Sequence, residues 1–110
     1  MKKSFEETIL EKANSWAKSN QKVVLATVIQ TWGSSPRPIG SKMIVNEKGD
    51  FLGSVSGGCV EANVINECIE LIKKKNLFKK IEFKVLDESA WNVGLACGGE
   101  LIVFIERINS

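Results

Sequence analysis

The stretch Val23-Val24-Leu25-Ala26-Thr27-Val28-Ile29 is nearly all apolar and rich in β-branched residues. Branched side chains pack well on a pleated surface and lose rotamer freedom in a helix, so the run favours extended backbone. A strand with one wet face would alternate apolar with polar, and this run does not, which predicts a strand covered on both faces. The material for one covering layer precedes it. Phe5, Ile9, Ala13, Trp16 and Ala17 recur at helical spacing and predict an amphipathic helix over residues 4–18. Ser4 is a suitable N-cap, Glu6 and Glu7 suit the first turn, and Asn20-Gln21 ends the helix.

Beyond the apolar run, Gly33-Ser34-Ser35-Pro36-Arg37-Pro38 is irregular, because each proline restricts the residue before it. Lys42 to Val45 and Phe51 to Val55 flank Asn46-Glu47-Lys48-Gly49-Asp50, the pattern of a β-hairpin. Val60, Val64, Ile65, Cys68, Ile69, Leu71 and Ile72 form the stripe of a second helix, beginning just after Gly57-Gly58-Cys59. Ile81, Phe83 and Val85 alternate with Glu82 and Lys84, as in a half-buried strand, and Leu101 to Ile105 reads as a central strand. The order is helix, three strands, helix, two strands, and only one helix is placed to make a crossover. The expected class is α+β: a mixed sheet of about five strands with two packed helices, as a single domain over residues 1–110.

Composition excludes several kinds of chemistry. With 15 Lys and Arg against 13 Asp and Glu, the net charge of +2 is too small to argue for nucleic acid. Lys73-Lys74-Lys75 and Lys79-Lys80 read as a helix end and a strand start. Histidine is absent, which removes Ser-His-Asp and Cys-His catalysis and every zinc site that needs histidine. Three cysteines without a C-x-x-C pair make neither a disulfide framework nor a thioredoxin-like site. Met1-Lys2-Lys3 leads into a charged amphipathic stretch and not an apolar signal core, and no apolar run has membrane-spanning length. The expected setting is the cytoplasm, with free thiols, no membrane partner and no nucleic acid.

Three loops carry chemical potential. In Gly33-Ser34-Ser35-Pro36-Arg37-Pro38-Ile39-Gly40, Arg37 sits on a stiff segment suited to bidentate recognition of a carboxylate or phosphate, although a solvated turn explains the loop equally well. In Ser54-Val55-Ser56-Gly57-Gly58-Cys59 the chain passes from strand to helix, where outward-pointing amides favour anions and would stabilise a thiolate at Cys59, although a tight turn at Gly57-Gly58 beside an inert Cys59 also explains the loop. Glu61, in the first helical turn, is placed to complement the dipole or to take a proton. In Trp91-Asn92-Val93-Gly94-Leu95-Ala96-Cys97-Gly98-Gly99 the glycines fit a bulge or turn, which leaves Cys97 unexplained. Trp16 and Cys68 belong to helix stripes and read as core, whereas Trp32 and Trp91 border the loops.

Taken together the loops resemble the XdhC/CoxI family, the accessory proteins of xanthine dehydrogenase and related molybdenum hydroxylases. The matching stretches are Ala26-Thr27-Val28 leading to Gly33 through Met43, then Gly53 through Glu61, then Gly94 through Gly99, in that order. The resemblance implies a chaperone that binds the molybdenum cofactor, a pterin dithiolene carrying a phosphate, and assists maturation of a molybdenum hydroxylase client. It implies Gly33, Ser34, Ser35, Arg37, Gly40, Gly57, Gly58, Cys59, Glu61, Cys97, Gly98 and Gly99 as cofactor contacts, with Cys59 and Cys97 nearest the metal or its sulfur. Soft thiolates suit a metal–sulfur centre, and amides with arginine suit an anion. The family's second, Rossmann-like domain has no counterpart fingerprint here, so a stand-alone form, half of a split pair and a fragment are all open. A separate Rossmann-domain partner and a homodimer are the corresponding expectations. Two alternatives stand beside this reading: a small thiol-dependent enzyme or sulfur carrier with Cys59 as catalytic nucleophile, and a regulatory or scaffold domain that binds no ligand.

Overall fold

A computed structural model describes residues 5–32, 37–56, 60–84 and 100–109. Its elements run α1 (Phe5–Lys18), β1 (Val23–Trp32), β2 (Lys42–Asn46), β3 (Phe51–Gly53), α2 (Glu61–Lys73), β4 (Phe78–Lys84) and β5 (Glu100–Arg107). The strands form one five-stranded sheet in the order β3-β2-β1-β5-β4. The α+β class, five strands and two helices agree with the sequence reading.

The sheet is not mixed, however. All four neighbouring pairs are antiparallel. The crossover through α2 does join two parallel strands, β3 and β4, but it carries the chain from one edge of the sheet to the other. Three strands lie between them, so no parallel pair of neighbours forms. Strand ends also differ: β1 runs on to Trp32, past the apolar run, and β4 begins at Phe78, with Lys79 and Lys80 inside it. A register shift between Val28 and Gln30 leaves Ile29 as the extra residue of a bulge, which lets β1 continue along β5.

The expected cover on both faces is present at the start of β1 and gives out toward Ile29, which is 43% exposed. Val24, Ala26 and Val28 point into a core with Met43, Val45, Leu101, Val103 and Ile105, closed by Val64, Cys68 and Leu71 of α2. Val23 points the other way, with Ile44, into a smaller core closed by Ile9, Ala13 and Trp16 of α1. Each fully buried aliphatic side chain contributes about 1.5–3 kcal/mol relative to its exposed state. At Val23 and Val24 successive strand residues thus serve opposite layers, as a continuous apolar run encodes.

Both helices end by the same device. Asn20 and Lys75 adopt left-handed backbone at φ 64° and 59°. The paired bonds Gln21 N–H to Trp16 O with Asn20 N–H to Ala17 O, and Asn76 N–H to Leu71 O with Lys75 N–H to Ile72 O, satisfy the last carbonyls. The proposed cap Ser4 lies outside the described residues.

Candidate functional site

The antiparallel order fixes where the three loops leave the sheet. β1 ends at Trp32, opposite Glu100, where β5 begins; Glu100 is also opposite Lys84, where β4 ends. On the other side of β1, β2 begins at Lys42 opposite Thr27, and Gly53 at the end of β3 is opposite Met43. The strand ends that bound residues 33–41, 54–60 and 85–99 therefore all lie at one end of the sheet. Gly33, Ser34, Ser35, Gly57, Gly58, Cys59, Cys97, Gly98 and Gly99 themselves, with Val85, expected in the strand, and with Trp91, lie outside the described residues.

At this end the passage from β3 into α2 is tied by side-chain hydrogen bonds. Glu61 turns back from the first turn of α2 and, among the described residues, gathers four donors. Its Oε2 accepts from Ser54 Oγ at 2.6 Å and from the amides of Val55 and Ser56 at 3.0 Å each. Its Oε1 accepts from Ser56 Oγ at 2.5 Å. The Ser56 hydroxyl in turn accepts from the Val60 amide at 2.9 Å, an orphan donor at the start of the helix. Val55, Ser56 and Val60 are buried around this knot.

Burial pushes the Glu61 carboxyl up, but the hydrogen bonds from the Ser54 and Ser56 hydroxyls and the Ser56 and Val55 amides outweigh it and bring it down to about 2. A carboxylate of that acidity does not take up a proton near neutrality. Of the two roles expected of Glu61, the complement to the helix dipole is the one the geometry displays, with a clasp on residues 54–56 added. Ser54 and Ser56, which supply that clasp, were not among the expected site residues. The sequence signal was two serines preceding a first-turn glutamate, a local variant of side-chain capping.

Arg37 and Gly40 belong to the turn that leads into β2. Ser41 N–H donates to Pro38 O at 3.1 Å and closes a β-turn, with Gly40 at φ +92° in the position that needs positive φ. The Gly40 amide is itself engaged, donating to Val28 O at 2.8 Å, so the glycine serves the turn and offers no open amide there. Ser41 Oγ and Lys42 Nζ bind the carbonyls of Pro38 and Gly40 at 2.7 and 3.2 Å. Arg37 is partly buried at the mouth of this turn.

Cys68 is fully buried in the larger core. Burial, with the charge of Glu67 adding to it, pushes its thiol up to about 12. It is a small apolar side chain in function, as its place in the helix stripe predicts. Among the described residues no cluster of three or more His, Cys, Asp or Glu could hold a metal ion. Among them, too, no helix is long and apolar enough to cross a membrane.

An α+β domain with a helix on each face of an antiparallel sheet, and with its motif loops leaving one end, defines the class. The XdhC and CoxI family profile matches residues 16–82, and the chain belongs to that family. It is 34% identical over 104 residues to the molybdenum cofactor insertion chaperone PaoD of Escherichia coli, covering 94% of this chain and 32% of PaoD. It is 34% identical over 89 residues to a probable xanthine dehydrogenase subunit of Bacillus subtilis, covering 80% of this chain and 27% of that protein. A crystal structure of a Bacillus halodurans protein described as a xanthine dehydrogenase superposes with a TM-score of 0.73 at 28% identity, over 91% of this chain and 30% of the other. The chain thus spans about a third of the length of these relatives.

Proposed function

We propose that this chain is an accessory module that binds the molybdenum cofactor and assists maturation of a xanthine dehydrogenase-type molybdenum hydroxylase. The observation that supports this reading most directly is the convergence of strand ends. Three motif segments far apart in sequence are bounded by strand termini at one end of one sheet. Loops set side by side on a rigid scaffold are the usual way to build a ligand site. The curated relatives include a cofactor insertion chaperone.

The donor set fits such a ligand. The cofactor brings a metal–sulfur centre and a phosphate. Cys59 and Cys97 are the proposed soft contacts, and Arg37, partly buried beside the β2 turn, is the proposed phosphate fork. The amides of Val55 and Ser56 are taken by Glu61, so they do not serve the phosphate. The clasp instead fixes the backbone from which residues 57–59 depart. A Rossmann-like partner domain packed against the same end would complete the enclosure.

The test is production of the chain in cells that synthesise the cofactor, followed by native mass spectrometry. Added mass matching the cofactor, lost on replacing Cys59 and Cys97 together with serine, is expected. A bare chain from such cells, and no uptake of cofactor on titration, would overturn the reading.

A further inference from the structure

The sheet has two edges of unequal kind. β3 is three residues long and lies beside α1. β4 is seven residues long, Phe78-Lys79-Lys80-Ile81-Glu82-Phe83-Lys84, and among the described residues no strand pairs with its outer side. A long open edge is a template for another strand.

The polarity of that edge can be read from the ladder. Arg107 N–H donates to Leu77 O at 2.8 Å, so Leu77 faces β5, one step before the Phe78–Glu106 pair. By alternation Lys79, Ile81 and Phe83 also turn their amides and carbonyls toward β5, and Phe78, Lys80, Glu82 and Lys84 turn theirs outward. Phe78 is 63% exposed and stacks on Phe104 at 5.7 Å between ring centroids.

We propose that β4 pairs antiparallel with β4 of a second copy about a two-fold axis at Ile81, extending both sheets into one. In this register Phe78 lies opposite the partner's Lys84 and Lys80 opposite the partner's Glu82, and each relation occurs twice. Every outward-pointing residue then meets an outward-pointing residue, as reciprocal bonding requires. The charges select the same register. Centring the axis on residue 80 sets Lys80 against its own copy, and centring it on residue 82 sets Glu82 against its own copy. Only the axis at Ile81 turns both into opposite-charge pairs. Within one chain the charged groups of Lys80 and Glu82 lie 3.8 Å apart, and both side chains are exposed on this edge, 58% and 42%. Lysines on an edge strand ordinarily discourage pairing; a glutamate two residues on makes this edge complementary to itself. The dimer stands independently of the cofactor reading.

Sedimentation velocity over a concentration series tests it, on protein made without cofactor so that the outcome is separate from cofactor binding. Wild type is expected to dimerise. K80E and E82K each place like charges opposite one another twice and are expected to raise the dimer Kd at least about tenfold. An equimolar mixture of K80E and E82K restores opposite charges at both contacts and is expected to regain dimer, which also shows that the variants are folded. A wild type that stays monomeric throughout, single variants that dimerise like wild type, or a mixture that gains nothing over its components would each overturn the proposal.

Discussion

Ser56 and Glu61 are joined twice, the serine hydroxyl donating to Oε1 at 2.5 Å and the serine amide to Oε2 at 3.0 Å. One carboxylate thereby holds both the side chain and the backbone of the residue that precedes the glycine pair. The folded state binds the charged form more strongly than the unfolded chain does, since the carboxyl falls from its ordinary 4.5 to about 2. Its stabilisation is complete above 4.5 and is lost as pH falls from 4.5 toward about 2. Solvent reaches this group, so the contribution is on the order of 1–2 kcal/mol. Glu61→Gln is expected to lower stability at pH 7 and to flatten this part of the acid limb. Chemical denaturation of both proteins from pH 7 to pH 2 checks it, and parallel acid limbs would show that the clasp carries no such charge dependence.

Gly53 closes β3 at φ +97°. A Cβ there would run into the Lys42 carbonyl and come within 2.9 Å of Ile9 Cδ1 and 3.0 Å of Met43 Cα. Gly53→Ala is expected to cost about 2–4 kcal/mol, combining left-handed backbone strain with overpacking against main chain that cannot yield. Gly49 also has positive φ, +89°, but its Cβ would meet only Ile69 Cδ1 at 3.6 Å. Gly49→Ala should therefore cost about 1–2 kcal/mol, from backbone strain alone. Urea midpoints of the two variants decide the order, and equal losses would mean that the close approach at Gly53 relaxes freely.

The fold was legible where burial imposes a period. The run through Val28 and the stripe from Val64 to Leu71 each had one physical solution, and both elements occur. Strand direction was not legible, because an apolar strand looks the same whether its neighbour is parallel or antiparallel. Only the placement of β3 and β4 at opposite edges made the sheet wholly antiparallel. For the site, residue chemistry pointed to Glu61 but not to its use. A first-turn glutamate is ambiguous until Ser54 and Ser56 are seen to turn their hydroxyls onto it. Gly40, expected as a ligand contact, has a structural task that its loop motif does not announce: its amide serves Val28 and its φ serves a turn.

Cys68 is expected to resist alkylation in the folded protein. With its thiol pushed up to about 12 by burial and by Glu67, about one molecule in ten thousand is thiolate at pH 8. Cys59, read from sequence as a thiol near a helix N-terminus, should react far faster. Timed alkylation with peptide mass mapping compares them, and addition of denaturant should release Cys68. Equal protection of both thiols in the native protein would remove the case for a reactive Cys59.

Arg37 is the described side chain on which phosphate recognition is proposed to depend. It sits partly buried where the first motif segment enters the β2 turn, a turn held by the bonds from Ser41 to Pro38 and from Gly40 to Val28. A guanidinium carried on a braced turn can present two parallel donors to a phosphate. Arg37→Ala is expected to weaken cofactor binding by about 1.5–3 kcal/mol, roughly ten- to 150-fold in Kd. Arg37→Lys keeps the charge without the fork and should fall between the two. Titration of cofactor into the three proteins at two ionic strengths measures this, and the variants' unfolding midpoints establish that the turn survives. An Arg37→Ala protein that binds cofactor as tightly as wild type would take Arg37 out of the site and leave the phosphate to residues of the other two loops.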